Sequence, residues 1–351
     1  MRPCSRRRLC ALRMGTRRSR LVGRALGRPR GRCHRAQHGP VCDGFLADAL
    51  LSPTEADSVA ALCYHWVVAK KISVRHSWNT AMKSILLPVD QSEQMASALE
   101  TAWRLASLFE GTVEGVALRP AFAEIVAPDP IVAVTIPPAD WNETEFCRTV
   151  RQAFDTFAAE HPASQGGGAR FRWRGGSAIE DSTLGTLGRV YDATLLSRPG
   201  SRGARMTALE AALFDSGRPV LMAPPKPPKS FGETVLIHWN ASTETARAIL
   251  LAMPILRKAR RVSLIAIEGH LSPGPNIKDA VGHLQANGVT ATEKTVSKQP
   301  PGEAILAEAA AIGADLLIKG AYTQSRLRQM IFGGATSHIL GAAEIPVFFS
   351  H

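Results

Sequence analysis

Gly320, Gly333, Gly334 and Thr336 are residues whose types and spacing could do chemistry. They sit at the end of the apolar run ADLLIKG, residues 314–320, and within its continuation AYTQSRLRQMIFGGATSHILGAAEIPVFF. Glycines in such a place let backbone N–H groups come close to phosphate oxygens. A helix beginning near Thr336 would turn its free amides and the positive end of its dipole toward the same point. The Thr336 hydroxyl could cap that helix or bind phosphate. Arg326 and Arg328 add charge nearby, although loop arginines are more often solvated. This is recognition of an anion by main-chain amides, without covalent chemistry. A plainer reading stands beside it, in which the glycines merely permit tight strand-to-helix turns.

Other chemistries lack their residues. A G-x-x-x-x-G-K-[ST] phosphate loop and a G-x-S-x-G nucleophile turn are both missing. The loops after either copy of the first strand do not carry the SGGxDS pattern of adenylating enzymes. His238, His270, His283, His338 and His351 are scattered without metal-ligand spacing, and each reads as surface or packing. No nucleophile is paired with a base, so any hydrolysis of a bound nucleotide would be slow and incidental. The expectation is a binding protein, not an enzyme.

The elements that must position the loop occur twice. KSILLPVDQSEQMASALETAWRLA, from Lys83, returns as TVLIHWNASTETARAILLAMPILR from Thr234. At a constant offset, Asp90 falls on Asn240, Ser92 on Ser242, Ala96 on Ala246 and Ala98 on Ala248. A fixed self-similarity of this length signals duplicated domains. In the first copy, periodicity predicts strands at Ile85–Val89, Thr112–Leu118, Phe171–Arg174, Ala193–Ser197 and Pro219–Ala223. Helices are predicted at Glu93–Glu110, with Ala96, Leu99, Trp103, Leu105 and Ala106 inward, at Asn142–Glu160 and at Ser182–Tyr191; a Pro-rich stretch runs to Pro138. The second copy repeats the order from Val235–Trp239 to Val347–Phe349. Strands alternating with helices imply a parallel sheet covered on both faces. The fold class is therefore α/β, with two doubly wound, Rossmann-like parallel-sheet domains in tandem. The expected boundaries are a basic extension over 1–81, a first domain over 82–225, a stiff solvated Pro-rich linker over 226–232 and a second domain over 233–351.

Charge separates the extension from the rest. The net charge of +12 resides wholly in residues 1–81, leaving the repeats formally neutral. That extension also holds five of the six cysteines, and Cys147 alone lies in the repeats, which fits a reducing cytoplasm. From Arg2 to Arg35 there are 13 Arg and no acid, a composition expected to stay disordered in isolation. Met82 reads as the working start, with the preceding segment an upstream translation. A phosphate-neutralising nucleic-acid arm and an organellar transit peptide are the other readings. A weak helix is possible at Leu46–Val68. No apolar run approaches the roughly 18 residues of a membrane span.

The loop after ADLLIKG resembles that of the universal stress protein family, and the resemblance covers about residues 82–351. Nucleotide-binding members carry G-x-x-G, nine residues, then G followed by Ser or Thr. Here Gly320 holds the first position, Thr323 replaces the second glycine, nine residues run from Gln324 to Phe332, and Gly333-Gly334 closes the pattern. The resemblance implies ATP or a related adenine nucleotide as ligand of the second copy, with Asn240, Gly320, Thr323, Gly333, Gly334 and Thr336 as its site. In the family an Asp ending the first strand recognises adenine. The first copy keeps Pro88-Val89-Asp90, whereas the second has His238-Trp239-Asn240. Asn still accepts a hydrogen bond but loses its charge-assisted form, about 1 kcal/mol or more. After TLLSR, residues 194–198, no G-x-x-G spacing can be placed, so each copy keeps a different half of the site. The first copy then reads as structural, with Asp90 capping the start of its helix. The resemblance further implies an internal pseudo-dimer paired through the last strands, open to homodimerisation, with a stress-response partner protein unnamed by the sequence. A nucleotide-free scaffold, a weak nucleotide hydrolase and a tail-dependent nucleic-acid binder are the competing classes.

Overall fold

Residues 85–89 and 235–237 are apolar on successive positions because both faces of their strands are covered. In the computed structural model, Ile85, Leu87 and Val89 enter one hydrophobic cluster while Leu86 enters another on the opposite face. Val235, Ile237 and Trp239 divide from Leu236 in the same way. This is the period-two alternation of a strand buried on both sides. The structure describes residues 81–128, 131–163, 168–198, 206–297, 299–321 and 334–351, with 123–136 described by backbone alone. The Arg-rich stretch, the helix expected at Leu46–Val68, and Thr323, Arg326, Arg328 and Gly333 lie outside the described residues.

The first half contributes β1 (Ser84–Val89), α1 (Met95–Phe109), β2 (Thr112–Ala117), β3 (Ala123–Pro128), β4 (Ile131–Ile136), α2 (Glu143–Glu160), β5 (Arg170–Trp173), α3 (Asp181–Gly188), β6 (Ala193–Leu196), α4 (Met206–Asp215) and β7 (Val220–Met222). The second half contributes β8 (Thr234–His238), α5 (Thr243–Leu256), β9 (Arg261–Ile267), α6 (Ile277–Ala286), β10 (Ala291–Val296), α7 (Pro301–Ile312), β11 (Leu316–Gly320), α8 (Ala335–Ala342) and β12 (Val347–Ser350). Ten strands form one sheet in the order β10-β9-β8-β11-β12-β7-β6-β1-β2-β5. Each half is parallel throughout, and the halves meet where β7 and β12 pair antiparallel. Strand order therefore runs identically outward from that joint on both sides, as two copies of one doubly wound unit require. In each half the order reverses beside the first strand, between β1 and β6 and between β8 and β11.

The duplication extends to side chains that periodicity did not single out. Asp192 Oδ2 accepts hydrogen bonds from the backbone N–H of Lys83 (2.8 Å) and Ser84 (2.9 Å). Asp315 accepts from Glu233 N (3.2 Å) and Thr234 N (2.9 Å). Each carboxylate ties the start of its half's first strand to the strand beside it. Helix starts are fixed locally: Asn142 Oδ1 accepts from Glu145 N, Ser242 Oγ accepts from Thr245 N, and Asn276 with Asp279 forms a capping box.

Several expectations are corrected. The Pro-rich stretch before Pro138 contains the antiparallel hairpin β3–β4, a separate two-stranded sheet, because AEIVAP and IVAVTI are themselves rich in β-formers. Helix α4 was not foreseen, and it is the counterpart of α8. Ala96, expected inward, is exposed, as is its repeat partner Ala246, while Ala98, Ala102 and Ala106 line the core. Trp103 is half-buried. The connector exposes Lys226, Pro227 and Lys229, but Phe231 is buried in the core and Ser97 Oγ donates to Pro224 O at 2.7 Å. It is anchored at both ends because each apolar or polar contact there outweighs free solvation.

Candidate functional site

At the carboxyl ends of β8 and β11, where the strand order reverses, the chain must leave the sheet in opposite directions and a crevice opens between the two departures. The cleft there has a volume of about 960 Å³. His238 and Asn240 line it from the end of β8, Ser272 from the loop after β9, and Lys319 and Gly320 from β11. Pro300 to Glu303 and Gly334 to His338 bring the N-termini of α7 and α8 to the same cleft. Neither helix has a side-chain cap, so first-turn amides of both remain available. The two starts sit close together because Gly302 has no side chain; a Cβ there would lie 2.7 Å from His338 Cβ.

The expected site residues take different roles. Asn240 lines the cleft, but its Oδ1 accepts from Thr245 Oγ1 (2.5 Å) and Ser242 N (3.3 Å), both in its own helix start. Its carbonyl is therefore engaged before any ligand arrives. Asp90 Oδ1 accepts from Ser92 N at 2.8 Å, the same turn in the first half. Ala241, next to Asn240, holds φ at 61°, a left-handed conformation that costs a non-glycine residue about 1–2 kcal/mol. Gly320 is buried and admits the start of α5: a Cβ would lie 2.6 Å from Thr245 N. Gly334 is exposed in extended conformation at φ −126°, with no atom within 4 Å of an added Cβ, so sterics do not demand glycine there. Thr336 is buried and its Oγ1 accepts from Lys319 Nζ at 2.8 Å. Thr323 and Gly333 lie outside the described residues.

Two buried residues of the cleft were not among the expected site residues. Lys319 is 3% exposed, and its Nζ donates to Gly320 O (2.6 Å) and Thr336 Oγ1 (2.8 Å) while standing 5.5 Å from the Phe349 ring. Burial pushes its ammonium down to about 7. His238 is 5% exposed and its Nε2 has no hydrogen-bond partner. Burial, and then the charges of Lys319 and His270, push its imidazole down to about 3, so it is neutral at physiological pH. The registered pair Ile318–Ile237 ends one residue before Lys319 and His238, which places them side by side on adjacent strands. The available signal was a lysine closing the apolar run LLIK and a histidine standing where the first copy has Pro88.

The first half has a smaller cleft of about 450 Å³ between the loop after β2, the start of α3 and one face of α4, away from the ends of β1 and β6. Its lining includes Glu180, Asp181, Glu210 and Asp215 against Arg119, and Arg119 pairs with Glu180 at 2.8 Å. Carboxylates thus occupy the N-terminus of α3, where an incoming anion would meet repulsion. By register, Leu196 and Pro88 stand where the second half has Lys319 and His238. The two clefts differ in both size and charge.

Among the described residues no group of three or more His, Cys, Asp and Glu could hold a metal ion. Cys147 is half-buried, and burial, followed by the Glu143 charge, pushes its thiol up, away from nucleophilic thiolate chemistry. No helix among the described residues is long and apolar enough to cross a membrane.

An α/β unit of this strand order belongs to the broad class of Rossmann-like folds. Residues 233–351 match the model of the Universal stress protein family. No curated protein matches the chain. Among solved structures, a universal stress protein from Archaeoglobus fulgidus is 17% identical with a TM-score of 0.60, over 77% of this chain and 97% of that one. The paired-half architecture is thus present in another single chain. A protein of the universal stress protein family from Burkholderia pseudomallei is 17% identical with a TM-score of 0.26, over 34% of this chain and 96% of that one. A universal stress protein in complex with cAMP is 18% identical with a TM-score of 0.29, over 34% of this chain and 97% of that one.

Proposed function

We propose that this chain is a universal stress protein, a stress-response binding and regulatory protein whose second half holds ATP or a related adenine nucleotide. The observation that carries the reading is the cleft at the β8/β11 switch point, where two uncapped helix N-termini converge beside a buried lysine. Phosphates lie against the first-turn amides of α8. Because both acceptor positions of Asn240 Oδ1 are in use, its amide Nδ2 is the group left to read adenine, donating to a ring nitrogen. Residues 82–225 form the first domain, whose acidic cleft has a structural role; 226–232 link it to the second domain over 233–351. The protein acts in the cytoplasm by binding, and turnover of ATP is incidental. A ligand that favours one arrangement of the loop between β11 and α8 would shift preference for a protein partner.

Thermal denaturation of the full chain with and without Mg-ATP tests this directly: a stabilising shift is expected, and none at millimolar nucleotide overturns it. A second reading, a nucleotide-free interaction scaffold, draws on the internal engagement of both Asn240 Oδ1 and Thr336 Oγ1. Gly334→Trp separates the two, since a scaffold keeps its partner binding and a nucleotide-dependent protein loses its response to ATP.

A further inference from the structure

Lys319 stands where a cation is poorly placed. It lines the second cleft, 3% exposed, beside the N-termini of α7 and α8, neither of which has a side-chain cap. Helix N-termini carry partial positive charge and disfavour an ammonium. Its polar contacts are the uncharged Gly320 O (2.6 Å) and Thr336 Oγ1 (2.8 Å). On the adjacent strand, His238 is 5% exposed, lines the same cleft and leaves Nε2 without a hydrogen-bond partner. By register Leu196 and Pro88 hold these two positions in the first half, so the fold requires neither the amine nor the imidazole. Burial pushes the Lys319 amine down to about 7, which leaves about half of it an uncharged nucleophile at neutral pH.

We propose that Lys319 is a site of reversible carbamylation, at which its neutral amine adds dissolved carbon dioxide and the resulting carbamate is held by the His238 Nε2–H and the Thr336 hydroxyl. The Nζ lone pair attacks carbon, an N–C bond forms, one C=O π pair moves onto oxygen, and one N–H proton leaves to water. Amine plus carbon dioxide gives carbamate plus one proton, with nothing oxidised or reduced. The adduct replaces a cation by an anion beside two helix N-termini that favour negative charge. Its oxygens are acceptors, and both neighbours can donate. Burial, and then the charges of Lys319 and His270, push the His238 imidazole down to about 3, so it donates as a neutral ring; Thr336 donates by turning its hydroxyl. Carbon dioxide is small and uncharged, which suits a nearly buried amine whose other side faces the Phe349 ring at 5.5 Å. The other titratable groups lining the cleft are His270 after β9, Glu303 on α7 and His338 on α8, all exposed. Glu244, at the start of α5, stands beside Gly320, and His351, after β12, meets Ala321 O at 3.2 Å.

The adduct puts negative charge close to where nucleotide phosphates are proposed to lie, so the test uses the full chain without nucleotide, and its failure leaves the nucleotide reading untouched. The chain is equilibrated with isotopically labelled bicarbonate and carbon dioxide, observed by carbon NMR, and trapped by O-alkylation with a trialkyloxonium salt before peptide mass spectrometry. A carbamate resonance and a trapped adduct at Lys319 are expected, both lost on degassing. Occupancy should rise severalfold from about pH 6 to about pH 8 at constant dissolved carbon dioxide, because only the free amine reacts. The resonance should vanish in Lys319→Met, and occupancy should fall severalfold in His238→Leu, which removes a donor to the adduct. Trapping confined to surface amines of the unaltered chain, or no trapping, overturns the proposal whatever the variants do. Equal occupancy in His238→Leu also overturns it, since Lys319 would then react only as any uncharged amine does.

Discussion

Leu221 and Phe348 are Cα partners at the centre of the antiparallel step between β7 and β12, and their neighbours exchange symmetrically across it, Met222 with Val347 and Val220 with Phe349. The register is isologous: the same strand of each half meets its counterpart about a local two-fold axis. Both side chains are fully buried in the same cluster, so the joint belongs to the core and is not a hinge between separate bodies.

Truncation at this joint should therefore be costly and coupled. Leu221→Ala and Phe348→Ala are each expected to lose about 2–5 kcal/mol. Their double-mutant cycle should show a coupling of about 0.5 kcal/mol or more. Urea unfolding measures both, and two independent transitions with no coupling would show that the halves do not share a core.

Gly320 and Gly334 should respond in opposite ways. Gly320→Ala drives a Cβ to 2.6 Å from Thr245 N at the start of α5, and about 1–3 kcal/mol of stability should be lost. Gly334→Ala meets nothing within 4 Å at an ordinary φ, and its effect should stay within about 0.5 kcal/mol. Thermal denaturation of the two variants side by side distinguishes the packing glycine from the tolerant one.

Asp192 and Asp315 perform one task in two places. Replacing either by Ala frees two backbone donors at the start of β1 or β8, and each change should cost about 1–2 kcal/mol. Matching losses in chemical unfolding are expected; a loss at only one position would mark that half as the less dependent on its strand anchor.

His238 makes the fold acid-sensitive. Its folded value is about 3 against an ordinary 6.5, so below pH 6.5 the unfolded chain takes up a proton that the folded chain refuses. This contribution is fully present above pH 6.5 and drains away as pH falls toward 3. His238→Gln keeps a polar group without the titration. Between pH 7 and pH 4.5 it should lose about 2–3 kcal/mol less stability than the unaltered chain. Equal losses in the two proteins would show that His238 is not held neutral.

Lys319 has the complementary window. Between pH 7 and 10.5 the unfolded chain holds a proton that the folded chain lacks, so this group makes stability rise with pH across that range and exacts its full cost below pH 7. Lys319→Met removes the buried amine and should be more stable than the unaltered chain by a few kcal/mol at pH 7, the gap closing by pH 10.5. A destabilised Lys319→Met would mean that the bonds to Gly320 O and Thr336 Oγ1 outweigh desolvation.

The strands and most helices were legible because a buried strand needs unbroken apolar residues and a sheet-packed helix needs small ones at its inner spacing. Asn142 was identified at the start of α2. The β3–β4 hairpin was hidden by its prolines, and α4 by the glycines and arginines that precede it. Of the residues read as inward, Ala96 lies on the outer side of α1 between buried Met95 and Ser97, and Trp103 is only half-buried. Glycine spacing drew attention to the region of the cleft but assigned its members unevenly: Gly320 serves the packing of α5, and Asn240 spends its carbonyl on its own turn.

The order of residues alone determined that the fold is a duplicated, doubly wound α/β architecture, because hydrophobic period and offset are properties of a one-dimensional string. Tertiary structure decided which charges meet. His238 and Lys319 are 81 positions apart and become neighbours only through the pairing of β8 with β11. Their displaced proton affinities arise from burial, which depends on everything packed around them and on no residue type by itself.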